Sequence, residues 1–131
     1  NKGYILASIG QESGEIPYTA YCAKKSYIGK NEDLVQRFTN AIYKGLKWVN
    51  ENSAEEVAKV IADSFPDSDI TLLTTVVQRY KDIDSWKVEP VLEQTAFDKL
   101  QTVMESAGEL STKAPYDTVV NNKFANAVLG K

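Results

Sequence analysis

At 131 residues, with 43% apolar and 25% charged side chains, the chain has the length and composition of one ordinary folded domain, which argues against disorder. Its 15 basic and 18 acidic residues are interspersed and leave a formal charge of -3, so no basic stripe is available to neutralise nucleic-acid phosphates. The absence of histidine removes the commonest general base, nucleophile partner and metal ligand, and no apolar run approaches the roughly 18 residues that a spanning helix needs.

In chain order, the near-continuous apolar run over 3–9 reads as a strand buried on both faces. Gly10-Gln11-Glu12-Ser13-Gly14-Glu15 breaks it, and a second strand over 17–23 returns with Pro17 at its start, where no ladder hydrogen bond is lost. Cys22 is unpaired and suits the interior of that strand as a small buried hydrophobe. With one cysteine, neither an internal disulfide nor a cysteine-held zinc is possible. The Lys24-Lys25 pair reads as a solvated turn rather than a recognition patch.

One helical turn over 24–30 closes at Gly29, and Asn31 stands where an N-cap belongs, followed by Glu32 and Asp33 at the positive end of a helix over 32–50. Leu34, Val35, Phe38, Ala41, Ile42, Gly45, Leu46 and Val49 recur at helical spacing and predict one broad buried stripe, with Trp48 at its flank. Ser53-Ala54-Glu55-Glu56 is a capping box that opens a helix over 54–64, stopped by Pro66. Ser68 or Asp69 caps the next, over 69–82, with Leu72, Leu73, Val76, Val77 and Tyr80 inward. A polar connection over 82–90 carries Trp86. Thr95 is the expected cap of a helix over 95–107, closed by Gly108, and Pro115 opens a last helical region over 116–129 with a break at Asn121-Asn122. Nothing repeats at a fixed period.

Taken together, the blocks Ser26-Tyr-Ile-Gly-Lys-Asn-Glu-Asp-Leu-Val35, Asn40-Ala-Ile-Tyr-Lys-Gly-Leu-Lys-Trp-Val49, Asn52-Ser-Ala-Glu-Glu-Val-Ala58, Arg79-Tyr-Lys-Asp-Ile-Asp-Ser-Trp-Lys87, Phe97-Asp-Lys-Leu-Gln-Thr-Val-Met-Glu-Ser-Ala-Gly-Glu-Leu110 and Ala114-Pro-Tyr-Asp-Thr-Val-Val-Asn-Asn-Lys-Phe-Ala-Asn-Ala127 carry a family signal. Their order along nearly all of the chain resembles the solute-binding proteins of ABC importers of the nitrate, sulfonate, taurine and thiamine-precursor type. The resemblance implies an α/β, mostly helical fragment of a type II periplasmic-binding-protein-like fold, two strands followed by five or six helices. Residues 1–131 would form a single segment, the C-terminal part of a two-lobed protein, with a strand pair and hinge-side loop over 1–23 and a helical part over 24–131. The start at Asn1-Lys2-Gly3, without an initiator Met, signal peptide or lipoprotein cysteine, suits such a piece.

From the same resemblance follow a small-molecule solute, an ABC permease as partner, an extracytoplasmic location and a parent held to the membrane by a lipid rather than a span. No cofactor, no metal, no nucleic acid and no catalytic residue are expected. The lack of any histidine argues against the family's eukaryotic relatives that make a thiamine precursor with an active-site histidine. The 10–15 loop joins two expected strands and, by analogy, lies near the hinge and cleft, so Gln11, Glu12, Ser13, Glu15 and Tyr18 are candidate ligand or hinge contacts, against the alternative of a plain surface turn. Trp86 is a further candidate, either flanking a cleft or plugging the edge of a core. Gly10-Gln-Glu-Ser-Gly14 resembles a nucleophile elbow but has no partner base, and it lacks the Gly-Lys-Ser/Thr ending of a phosphate loop. The acid pairs Glu55-Glu56 and Asp82/Asp84 sit where helix starts and solvated faces carry acids. The apolar strands present edges through which the fragment is expected to self-associate. The alternative to the importer reading is a free-standing helical protein-interaction module.

Overall fold

The structure, a computed structural model, describes Tyr4 and residues 6–131. Its elements are α1 (Ile9–Glu12), α2 (Lys25–Lys30), α3 (Glu32–Glu51), α4 (Ala54–Ile61) with a 3-10 turn at Ala62–Ser64, α5 (Ile70–Asp82), α6 (Gln94–Ser106), α7 (Tyr116–Val119) and α8 (Lys123–Leu129). The helices after residue 24 fall within a residue or so of the places that caps and spacing predict, and the break at Asn121-Asn122 is present between α7 and α8.

Local chemistry explains these ends. Ser53 Oγ accepts from the Glu56 amide at 3.2 Å while the Glu56 carboxylate accepts from the Ser53 amide at 2.9 Å, which completes the capping box of α4. Hydrogen bonds from the Ser53 hydroxyl and amide hold the Glu56 carboxyl below the ordinary carboxylate value. Asp69, rather than Ser68, caps α5 by accepting from the Leu72 amide at 2.8 Å. At α6 the expected cap is displaced: Glu93 holds the N-cap position and Thr95 lies inside the helix. Helix α6 ends as predicted, with Gly108 at φ 78° and the Glu109 amide reaching back to the Met104 carbonyl at 2.9 Å. The same closure ends α5, but there the left-handed residue is Asp84, at φ 50°.

The expected α/β fold is not found, because every regular element among the described residues is helical. Of the first expected strand, Gly3 and Ile5 lie outside the described residues; Tyr4 and residues 6–8 have no regular structure, and Ile9 already belongs to α1. Residues 17–23 are not a strand either, and the expected strand-interior Cys22 is exposed. A strand persists only through a ladder to a neighbour, and two short segments with no third are marginal in water. Instead the amides of Gln11 and Glu12 bond to the Ser8 carbonyl, each at 3.1 Å, so part of the expected loop is helix. With the strands goes the basis on which edge-to-edge self-association was expected.

The chain divides into two compact units, one formed by Asn40–Pro90 and the other by Asn1–Thr39 with Val91–Lys131. In the first, α4 packs on α5 around Ala54, Val57, Ala58, Leu73 and Val77, with Val49, Ile61, Ala62 and Trp86 against the margin. Val77 is 1% exposed. Lys81 donates to the carbonyls of Val49 and Asn52, the latter at 2.8 Å, and so satisfies acceptors at the end of α3.

In the second unit, polar clasps join segments far apart in sequence. The buried Gln101 amide, 5% exposed, donates to the Ala114 carbonyl at 3.2 Å and accepts from its amide at 2.6 Å. Asn122 treats Leu92 the same way, at 3.0 and 3.2 Å, and the Tyr116 hydroxyl donates to the Leu92 carbonyl at 2.6 Å. Helix α8 meets α3 through Lys123 and Glu32 at 2.7 Å and through Gln36, which donates to the Phe124 carbonyl at 3.0 Å. Among the described residues of this unit, the fully buried apolar ones are Ala96, Phe124 and Ala125.

The broad stripe predicted on α3 is also corrected. No residue of α3 is fully buried; Val35, Ile42, Leu46 and Val49 are partly covered, and Leu34 and Phe38 are nearly half exposed. On α5, only Leu73 and Val77 of the five residues expected to face inward are buried. Helical spacing creates an apolar face; covering it takes a second surface of matching shape.

Candidate functional site

The segment from Ser8 to Lys24 carries five of the six residues singled out from the sequence. Gln11 and Glu12 are exposed on α1, Ser13 is its C-cap with αR backbone, and Gly14 turns the chain at φ 66°. The Ser13 hydroxyl donates to the Gly14 carbonyl at 3.1 Å. Beyond the turn, Glu15 is exposed and Tyr18 is 100% exposed. The structure therefore gathers Gln11, Glu12, Ser13 and Glu15 on one tight turn, with Tyr18 three residues further along non-helical chain. Tyr21, which the sequence did not single out, sets its ring edge-to-face on Phe38 at 4.9 Å between centroids and 83° between planes, and so leads the segment back onto α3.

A second contact to this turn was not visible in the sequence. Lys99 on α6 donates to the Ser13 carbonyl across 86 positions of sequence. A Cβ built on Gly14 would stand 3.0 Å from the Lys99 ammonium nitrogen. No motif links Lys99 to the turn; a lone lysine in a helix reads only as a solvated residue.

Trp86 lies in the other unit, half-buried at the margin of the α4 and α5 core, with its ring edge-to-face on Tyr80 at 5.4 Å and 74°. Packing accounts for this position. In the same unit, Asn40, Tyr43, Lys44, Lys47, Trp48 and Glu51 line a shallow depression of about 320 Å³. All six come from one face of α3, so the depression is a furrow between neighbouring side chains of a single helix with no opposing wall.

The turn over 11–15 offers hydroxyl, amide and carboxylate groups for hydrogen bonding to a small polar molecule. Among the described residues no cluster of three or more carboxylates and cysteines is placed to hold a metal ion, and no helix is long and apolar enough to cross a membrane.

The chain matches no family profile and no solved structure. It is similar to a protein of Bacillus subtilis (strain 168) named "Putative binding protein YtlA", with 44% identity over 126 residues. The match takes in 96% of this chain and 38% of that protein, so the chain spans well under half of the relative's length. A binding protein is thus what the chain is similar to over nearly its whole length.

Proposed function

We propose that the chain is the C-terminal part of an extracytoplasmic solute-binding protein that delivers a small organic or anionic solute, of the nitrate, sulfonate, taurine or thiamine-precursor class, to an ABC permease. The observation that carries this reading is the 44% identity along 126 residues to a protein named as a binding protein, of which the match takes in 38%. In this reading the parent is two-lobed, non-enzymatic and tethered by a lipid. The exposed turn with Gln11, Glu12, Ser13 and Glu15, followed by Tyr18, supplies part of the solute contacts. Half a cleft leaves the solute's other face in water, so the 131-residue chain alone binds weakly.

The test is a thermal-shift screen of the protein that carries this chain against nitrate, taurine, an alkanesulfonate and an aminopyrimidine. A true ligand at 100 times its Kd adds about 2.7 kcal/mol of stability. No shift with any of the four overturns this solute class, and submicromolar binding by the 131-residue chain alone overturns the shared cleft.

The wholly helical structure of the described residues favours a second reading, a helical module that binds a partner protein. Its apolar side chains at the surface of the unit that contains α6 to α8, such as Leu34, Phe38 and Val103, would then face that partner. A permease and ATPase encoded beside the gene would decide for the importer; a stable complex with a partner, and no response to solutes, would decide for the module.

A further inference from the structure

Helix α1 has four residues, too few to hold itself in water, and it bears two of the proposed solute contacts. Its order must come from outside. The Ser13 carbonyl lies at the C-terminal end of α1, where carbonyls lack partners within the helix and a cation is favoured. Lys99 supplies one, as a charge-assisted hydrogen bond from the middle of α6, a 13-residue helix with a defined closure. Gly14 makes room for it: its φ of 66° is a conformation that L side chains rarely adopt, and a Cβ there would stand 3.0 Å from the ammonium nitrogen.

We infer that Lys99 is a positioning residue of the solute site, a clamp that fixes the 11–15 turn on α6 so that Gln11, Glu12 and Ser13 are held ready for the solute. This rests on the proposed solute-binding role of the turn, but the clamp itself is separable from it. Lysine's long stem and compact ammonium suit a single carbonyl acceptor; an arginine reaches the same atom with a broader head.

Two measurements test the clamp. In the first, backbone 15N relaxation of the protein that carries this chain is recorded for wild type, Lys99→Met, Lys99→Arg and Gly14→Ala. Lys99→Met is expected to reduce the heteronuclear NOE of the 11–15 amides to values of a free tail while leaving α6 unchanged, and Lys99→Arg to restore most of it. Gly14→Ala is expected to act as Lys99→Met does, and the double variant to be no worse than either alone, because both remove one contact. Unchanged order in Lys99→Met, or fully additive effects, overturns the clamp.

In the second, the protein that carries this chain is titrated with whichever of nitrate, taurine, an alkanesulfonate or an aminopyrimidine shifts its melting temperature. Lys99→Met should weaken binding at least tenfold at an unchanged melting temperature of the unliganded protein, and Lys99→Arg should recover it. Equal affinity in Lys99→Met overturns the role in the site. A wild-type protein that binds none of the four overturns the proposed solute class, and the relaxation measurement then decides the clamp by itself.

Discussion

The two units are held by different physics. In the unit formed by α4 and α5, Ala54, Val57, Ala58, Leu73 and Val77 exclude water from one small apolar centre, a non-directional interaction that tolerates modest shifts. In the unit that contains α6 to α8, the side-chain amides of Gln101 and Asn122 replace missing backbone partners at Ala114 and Leu92, and few apolar residues are buried. The first arrangement fails by leaving a cavity, the second by leaving unpaired polar groups. The candidate turn at 11–15 belongs to the second unit, where position depends on directional bonds; a binding surface can be set by such bonds without a large core.

The largest effect should come from the apolar centre. Leu73→Ala is expected to destabilise by roughly 2–5 kcal/mol through lost transfer energy and a residual cavity, read by chemical denaturation. A cost under about 1 kcal/mol would mean that α4 and α5 do not form one packed centre. The matching test of the polar unit is Gln101→Leu, which keeps an apolar bulk near the site but leaves the Ala114 amide and carbonyl without their partner. It should cost about 1–3 kcal/mol. If it were neutral, the clasp would be incidental and the contrast between the units would vanish.

Next in size is Ser53→Ala, expected to cost about 1 kcal/mol by removing the cap of α4. Its pH dependence follows from the Glu56 carboxyl, which the Ser53 hydroxyl, then the Ser53 amide, hold below the ordinary carboxylate value. A carboxyl lowered on folding stabilises above its unfolded value, and that contribution disappears as pH falls through the lowered folded value. The gap between wild type and Ser53→Ala should therefore narrow in acid, and a gap that widens there would refute the capping box as its cause. The smallest effect is Asp84→Gly, which relieves a left-handed backbone at φ 50° and should stabilise by about 0.5–1 kcal/mol, seen as a small rise in denaturation midpoint.

Legibility in the sequence followed the range of the interaction. The capping box at Ser53, the Asp69 cap and the closure at Gly108 are each made within about five residues, so they were visible as short patterns. Thr95 was misplaced as a cap by two positions because Glu93, a residue without a side-chain cap bond, holds that place. The turn at 10–15 was visible as a glycine-bracketed polar stretch, but its hold by Lys99 was not, since the two lie 86 positions apart and no pattern ties a lysine to a carbonyl. Trp86 carried two readings in the sequence, and its place beside Tyr80 at the margin of the α4 and α5 core is set by contacts that no short pattern shows.

For the chain after residue 24 the sequence by itself determined where helices start and stop to within a residue or so, because caps, breakers and the 3.6-residue period act over one or two turns of chain; it did not show α1. Tertiary structure alone decided which apolar faces are covered. Leu73 and Val77 found a facing surface on α4, whereas the stripe of α3 is at most partly covered. It also decided that residues 17–23, β-prone by composition, form no strand, for a strand takes its hydrogen bonds from another segment and none is supplied among the described residues.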